Sequence, residues 1–159
     1  MRLIILFSVF LLFFTHSSKA QNRQVPVLNF EEFEPLMQQH NDTLYVLNFW
    51  ATWCRPCVVE LPYFEKINEE YANKKVKVVL VSLDFVENLD SRVLPFLEKR
   101  NIQSSVILLD EANPNSWINK VSPDWSGAIP ATLFYRNKKS EFYEQDFDYD
   151  ELLKLIENF

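Results

Sequence analysis

Trp50-Ala51-Thr52-Trp53-Cys54-Arg55-Pro56-Cys57 is the stretch that decides how this chain of 159 residues folds. It follows the largely apolar run 44–49, which is rich in strand-forming residues and predicts a buried strand. Apolar residues recur at helical spacing over 55–72, so both cysteines lie where a strand gives way to a helix. Free backbone N–H groups and the positive end of the helix dipole stabilise a thiolate at such a place. The stretch therefore predicts a reactive Cys54, with Cys57 one helical turn further on.

Helical and strand patterns alternate along the rest of the chain. The predicted helices span 28–40, 55–72, 91–100, 113–121 and 149–159, and the predicted strands span 44–50, 75–83, 105–109, 131–135 and 139–145. Pro62 lies inside the second helix and predicts a kink there, because its ring displaces a backbone hydrogen bond. Since a hairpin follows the alternating elements, their order indicates an α/β fold with a mixed sheet flanked by helices.

The first 20 residues are typical of a secretory signal peptide. Arg2 supplies a positive charge, an almost unbroken apolar run follows over 3–14, and Ser18-Lys19-Ala20 places small residues before a cleavage point after Ala20. We therefore expect a leader over 1–20 and a single exported domain over 21–159. A retained membrane anchor is the alternative. It is disfavoured because about a dozen apolar residues fall short of the roughly 20 that span a bilayer.

Charge and composition exclude several classes of function. The chain has 16 basic and 22 acidic residues, and loss of the leader would remove Arg2 and Lys19, so the net charge would change from −6 to −8. An acidic chain with scattered basic residues has no electrostatic basis for binding nucleic acid. Gly127 is the only glycine, which excludes Gly-rich phosphate-binding loops. With two cysteines and, outside the leader, His40 alone, the sequence offers neither a metal site nor a Cys–His nucleophile.

In an exported protein, two cysteines can also form a structural disulfide. A structural bridge seldom has Cys-x-x-Cys spacing between a buried strand and a helix, so a redox role is favoured. Cys54, at the exposed start of the helix, is the predicted nucleophile, and the more buried Cys57 is the predicted resolving thiol. Arg55 and Pro56 are expected to tune the reduction potential, by favouring the thiolate and by stiffening the turn. Arg55 can equally be an exposed charge without effect, since solvent and salt screen it.

Three blocks of sequence carry a resemblance to a known family. They are 47–57 with its Trp-Cys-Arg-Pro-Cys motif, Glu60-Leu61-Pro62, and Gly127-Ala128-Ile129-Pro130-Ala131-Thr132. In order and spacing the chain resembles the thioredoxin superfamily, and within it the exported TlpA/ResA-like thiol–disulfide oxidoreductases. The resemblance covers most of the chain after the leader. It implies a thioredoxin-like fold, a secreted or periplasmic location and a redox-active Cys54–Cys57 disulfide with no further cofactor.

The resemblance also assigns roles beyond the cysteine pair. Glu60 lies one helical turn after the second cysteine, and the resemblance implies that it accepts or donates the proton of the buried thiol; a solvated helix glutamate is the alternative. Pro130 is implied to be a cis proline that packs against the disulfide, with the backbone of Ile129 pairing with bound substrate; an ordinary trans proline is the alternative. Trp53 is expected on an apolar rim that substrate crosses, and Trp50 in the core.

Two hypotheses of function follow. The first is an exported oxidoreductase that reduces protein or peptide disulfides and is re-reduced by a thiol donor in the membrane. The second is a non-catalytic thioredoxin-fold module that binds an extended peptide beside the Pro130 strand, or an assembly factor for cytochrome c or copper sites. Ala-Ile-Pro-Ala at 128–131 differs from the Gly-Ala-Pro-Glu of cytochrome-maturation members, and the Cys-x-x-x-Cys of copper-delivery relatives is missing. The Pro-x-x-x-Thr-x-x-Cys setting of peroxidases of related fold is missing too.

Overall fold

The computed structural model describes residues 24–159, so the predicted leader over 1–20 lies outside the described residues. Within that part of the chain the strands are β1 (Val27–Leu28), β2 (Leu44–Trp50), β3 (Val76–Ser82), β4 (Ser105–Leu109), β5 (Ala131–Arg136) and β6 (Lys139–Tyr143). The α-helices are α1 (Phe30–Phe33), α2 (Arg55–Glu70), α3 (Leu94–Lys99), α4 (Ile118–Val121) and α5 (Tyr149–Asn158). None of the described helices is long and apolar enough to cross a membrane.

The six strands form one sheet in the order β1-β4-β3-β2-β5-β6. β1, β4, β3 and β2 run parallel, whereas β5 pairs antiparallel with both β2 and β6. This arrangement confirms the predicted α/β fold with a mixed sheet. All seven residues of β2 are buried, which explains why its sequence is almost continuously apolar. The carboxyl end of this central strand leads directly to the cysteine pair.

Alternate residues of β2 enter two hydrophobic cores, one on each face of the sheet. Leu44, Val46 and Trp50 belong to the core that also contains the buried residues of α2 and α5. Tyr45, Leu47 and Phe49 belong to a second, aromatic-rich core with residues of α1 and α4. Because the alternation is strict, Asn48 falls on the α2 side, among apolar neighbours. A buried amide there needs a polar partner, and α2 supplies one.

The predicted helix over 28–40 is wrong in its bounds. Residues Val27–Leu28 form strand β1, α1 ends at Phe33, and a 3₁₀ turn follows over Glu34–Gln38. Asn29 caps α1 and exchanges hydrogen bonds with Glu32 in a capping box, so the helix starts two residues later than predicted. Pro35 sits at the start of the 3₁₀ turn, and its missing N–H explains why the α-helix stops there.

Three further predicted elements differ from those in the structure. The segment predicted as a helix over 91–100 begins with a wide turn, Leu89–Val93, before α3, whose first turn contains Pro95. The helix predicted over 113–121 is divided into a 3₁₀ turn, Pro114–Ser116, and the short α4. Strand β6 ends at Tyr143, two residues before the predicted end. Helix α2 runs through Pro62, so the predicted kink remains a prediction.

Candidate active site

Cys54 and Cys57 form a disulfide at the start of α2, with their Cα atoms 5.3 Å apart. Cys54 is the N-cap residue of the helix, and its Sγ atom accepts a hydrogen bond from the backbone N–H of Cys57 at 3.3 Å. Pro56 occupies the first turn, where its missing N–H costs no helical hydrogen bond. The Cys54 sulfur therefore lies at the positive end of the helix dipole. A thiolate formed there on reduction would be stabilised.

The exposure of the two cysteines differs from the prediction in one respect. Cys57 is fully buried, as expected for a resolving thiol, but Cys54 is only 5% exposed, so the prediction of an exposed nucleophile is wrong in degree. The disulfide ties Cys54 to its buried neighbour, and the Ile129 carbonyl oxygen lies 3.7 Å from its sulfur. The Cys54 residue is therefore largely covered in the disulfide form. Arg55 and Pro56, in contrast, are exposed on the first turn of α2.

The loop before β5 forms the other side of the site. The Ile129–Pro130 peptide bond is cis, which decides between the two possibilities left by the sequence. Ile129 is half-buried, and its carbonyl oxygen is the atom that approaches the Cys54 sulfur. Trp125 steadies this loop by donating a hydrogen bond from its indole Nε1 to the Ala128 carbonyl at 2.8 Å. Two segments 75 residues apart in sequence are thus brought together at one sulfur atom.

Glu60 is buried in a polar network beneath the cysteine pair, so it is not a solvated helix residue. Its Oε1 atom accepts a hydrogen bond from Asn48 Nδ2 at 2.8 Å, and its Oε2 atom accepts one from the Phe147 backbone N–H at 2.9 Å. Asn48 Nδ2 also donates to Thr132 Oγ1 at 3.1 Å. Burial raises the pKa of Glu60 to about 7; its two hydrogen bonds oppose this shift and the charge of Asp146 adds to it. This carboxyl can therefore hold or release a proton near neutral pH.

A second buried carboxyl lies at the neighbouring strand end and was missed by the sequence analysis. Asp84, two residues after β3, accepts hydrogen bonds from the backbone N–H and the hydroxyl of Thr52, at 2.9 and 2.6 Å. It also accepts one from Ser82 Oγ at 2.8 Å. The signal that could have found it is topological: the carboxyl ends of adjacent parallel strands meet at one edge of the sheet, so residues after β3 lie beside the Cys54 loop.

Aromatic side chains near the site divide into exposed and buried groups. Trp53 is 59% exposed, which agrees with the predicted apolar rim, and Trp50 is fully buried, as expected. Phe85, directly after Asp84, is 72% exposed and was not singled out from the sequence. Trp117, like Trp125, lies in the aromatic-rich core. The edge of the sheet next to the disulfide therefore presents two large apolar side chains to solvent.

Over residues 24–159 the structure brings together no cluster of three or more histidine, cysteine or acidic residues that could hold a metal ion. The cysteine pair is joined by a disulfide, and free cysteines are absent from the described residues. The chemistry that this arrangement offers is reversible opening and closing of one disulfide, beside one carboxyl whose pKa lies near neutrality.

Comparison with known proteins agrees with this geometry. The profile described as the AhpC/TSA family matches residues 17–139. Thioredoxin-like protein YneN from Bacillus subtilis (strain 168) is 39% identical over 77 residues, which cover 48% of this chain and 44% of YneN. Thiol-disulfide oxidoreductase ResA from Oceanobacillus iheyensis is 55% identical over 42 residues, which cover 26% of this chain and 22% of ResA. The matches thus span less than half the length of either relative.

A thioredoxin-related protein from Neisseria meningitidis serogroup B has a crystal structure similar to this one, with a TM-score of 0.65 and 21% sequence identity. The superposition covers 77% of this chain and 88% of that chain. At this level of identity the likeness concerns the fold, and it confirms the thioredoxin-like arrangement predicted from the sequence.

Proposed function

The chain belongs to the AhpC/TSA family, and from this premise we propose that it is an exported thiol–disulfide oxidoreductase that reduces disulfides of proteins or peptides. The observation that carries the proposal is the Cys54–Cys57 disulfide at the start of α2, with the Cys54 sulfur against the Ile129 carbonyl. A disulfide whose first sulfur caps a helix is suited to exchange, because the thiolate is stabilised as attacking and as leaving group.

The exchange proceeds in two steps. The Cys54 thiolate attacks one sulfur of the substrate disulfide, which forms a mixed disulfide and releases the first substrate thiolate. Cys57 then loses its proton and attacks the Cys54 sulfur, which releases the second substrate thiolate and forms the Cys54–Cys57 disulfide. Two electrons pass from the protein to the substrate. An external dithiol must return them, and for an exported protein we propose a thiol donor in the membrane.

In this proposal Glu60 accepts the proton that Cys57 loses in the second step. What supports this role is its position one helical turn from Cys57, its complete burial and the rise of its pKa to about 7. A base works best when its pKa lies near the working pH, because a large fraction is then ionised and its affinity for the proton is still high. Asn48 and the Phe147 backbone N–H hold the carboxyl in place by donating hydrogen bonds to its two oxygens. Exposed Arg55 would add a modest preference for the Cys54 thiolate.

Reduction of insulin tests the proposal. In the presence of dithiothreitol, the protein is expected to accelerate the precipitation of insulin B chains well above the rate with dithiothreitol alone. A non-catalytic peptide-binding module would leave the rate at the dithiothreitol level, and that outcome would refute the enzyme.

Equilibration with glutathione determines whether the protein reduces or oxidises its substrates. A reduction potential near −120 mV, typical of a strong oxidant, would exclude the proposal that it acts as a reductant. Export with cleavage after Ala20 is checked by the mass of the mature protein.

Trp53 is proposed to contact polypeptide substrates on the rim of the site. Trp53→Ala should lower kcat/KM for insulin about tenfold, the scale of a partly buried aromatic contact, mainly through KM. Reduction of hydroxyethyl disulfide, which is too small to reach the rim, should change much less. Val27→Ala is the matched control, because Val27 is an exposed apolar residue on edge strand β1, which is separated from β2 by the two strands β4 and β3. Equal losses with both substrates would contradict a role in recognition.

A further inference from the structure

Asp84 is a buried carboxylate that the exchange mechanism does not use. It is 3% exposed, and both of its carboxylate oxygens accept hydrogen bonds: Oδ1 from the Thr52 hydroxyl, and Oδ2 from the Thr52 backbone N–H and from Ser82 Oγ. A carboxylate in such a place is costly unless donors surround it, so these contacts are required rather than incidental. Thr52 is thereby held through both its main chain and its side chain.

Thr52 lies in the turn that carries the nucleophile. The backbone N–H of Cys54 donates to the Ala51 carbonyl at 3.1 Å, which closes a four-residue turn with Thr52 and Trp53 at its centre. Ser82 ends β3, and the N–H of the next residue, Leu83, donates to the Trp50 carbonyl at 2.8 Å. The hydrogen bonds of Asp84 therefore connect this turn to the end of β3, which is itself hydrogen-bonded to the end of β2.

The hydrogen bonds between Asp84 and Thr52 matter differently in the disulfide form and in the dithiol form. In the disulfide form the S–S bond itself joins Cys54 to Cys57. In the dithiol form that bond is gone, and non-covalent contacts alone keep the two sulfur atoms close. If the turn that carries Cys54 is already ordered in the dithiol form, less conformational entropy is lost when the disulfide forms. The effective concentration of one thiol relative to the other is then higher.

We propose that Asp84 is a positioning residue, which holds Cys54 within reach of Cys57 through Thr52 and so favours closure of the disulfide. The inference rests on the proposed function and deepens it, because it names a residue that makes the couple more reducing. Without the hydrogen bonds between Asp84 and Thr52, the dithiol form gains conformational entropy that the disulfide form does not gain. The equilibrium then moves toward the dithiol, and the reduction potential rises.

The test is the equilibrium constant for oxidation of the protein by glutathione disulfide. Asp84→Ala should lower this constant about tenfold, which raises the potential of the two-electron couple by about 30 mV. Thr52→Val, which removes the hydroxyl but keeps the shape, should shift it in the same direction by less. Thr52→Ser retains the hydroxyl and should keep the wild-type constant. If Asp84→Ala does not fold, the two Thr52 variants carry the test.

Glu65→Gln provides a matched control. Glu65 is another carboxylate that accepts backbone hydrogen bonds, from Gln103 and Ser104, but it ties α2 to the turn before β4. This variant should lose stability in urea with no change in the glutathione equilibrium. If Asp84→Ala and Thr52→Val destabilise both redox forms equally and leave the equilibrium constant unchanged, Asp84 is merely structural and the inference is overturned. Failure of the proposed function looks different, because the wild-type protein itself would then not reduce insulin.

Discussion

Cys54→Ser should abolish insulin reduction, with a loss in kcat/KM of at least about a thousandfold, the scale seen when an attacking group is removed. The hydroxyl of serine is not ionised at the pH at which a thiolate forms, so the N-terminal end of α2 cannot activate it. Cys57, fully buried, cannot take over the first attack. The measurement is the rate of insulin precipitation at several protein concentrations, compared with wild type.

Cys57→Ser separates the two steps of the same reaction. Cys54 still attacks substrate in this variant, but the mixed disulfide has no neighbouring thiol to resolve it. A covalent adduct between the protein and a disulfide-bonded peptide should therefore accumulate, visible as a mass increase that a reductant removes. The Cys54→Ser variant, treated identically, should form no such adduct. If instead Cys54→Ser trapped the adduct and Cys57→Ser did not, the roles of the two cysteines would be reversed.

The low exposure of Cys54 does not conflict with these expectations. A nucleophile needs access at one sulfur atom, whereas the 5% figure describes the whole residue in the disulfide form. Trp53 and Phe85 are both highly exposed near the disulfide, and we expect a substrate to approach from this edge of the sheet. If the proposed activity holds, we expect extended or flexible segments of polypeptide to react faster than disulfides held in rigid folded domains.

Local sequence was sufficient for the parts of the fold that depend on one segment. Strands β2 and β4 were predicted with their observed bounds, because each is a continuous run of strand-forming residues between polar stretches. Strand β1 could not be predicted in this way. It has two residues and exists because it pairs with β4, where the Pro26 carbonyl accepts a hydrogen bond from Leu108. That pairing joins segments about 80 residues apart in sequence.

The site shows the same division between local and distant information. The position of Cys54 at the helix start follows from eight consecutive residues. Whether Glu60 is buried or solvated does not, because it depends on Asn48 and on Phe147, 12 and 87 residues away. The role of Asp84 was invisible for the same reason: it becomes a neighbour of Thr52 only when β2 and β3 are paired. The spacing of residues in the sequence therefore identifies the reactive sulfur atoms, whereas the pairing of strands in the fold identifies the buried groups that surround them.

Glu60→Gln should change how the stability of the oxidised protein depends on pH. Burial raises the pKa of Glu60 from 4.5 to about 7 in the folded chain. The folded protein then binds the proton more tightly than the unfolded chain does, so the free energy of unfolding falls as pH rises from 4.5 to 7. The decrease in the free energy of unfolding is complete above pH 7. It amounts to about 3 kcal/mol, at 1.4 kcal/mol for each unit by which the pKa is raised. A neutral glutamine has no such loss.

Urea unfolding of the oxidised proteins at pH 4.5 and pH 8 measures this effect. The difference in stability between Glu60→Gln and wild type should move by about 3 kcal/mol in favour of the variant on going from pH 4.5 to pH 8. Glutamine keeps one acceptor oxygen, but its amide nitrogen cannot accept the second of the two hydrogen bonds that Glu60 receives; this cost is the same at both pH values and cancels. Glu69→Gln, which removes an exposed carboxylate from the same helix, should keep the wild-type dependence.

The kinetic counterpart concerns resolution of the mixed disulfide. If Glu60 accepts the Cys57 proton, Glu60→Gln should slow this step about a hundredfold at neutral pH, the lower end of the range for general acid–base catalysis. The first attack by Cys54 should be nearly unchanged, since that thiolate depends on the start of α2 rather than on Glu60. Rapid mixing with a peptide disulfide resolves the two phases by mass. A variant with the wild-type rate of resolution, yet with the altered stability profile, would leave Glu60 a buried acid without a role in exchange.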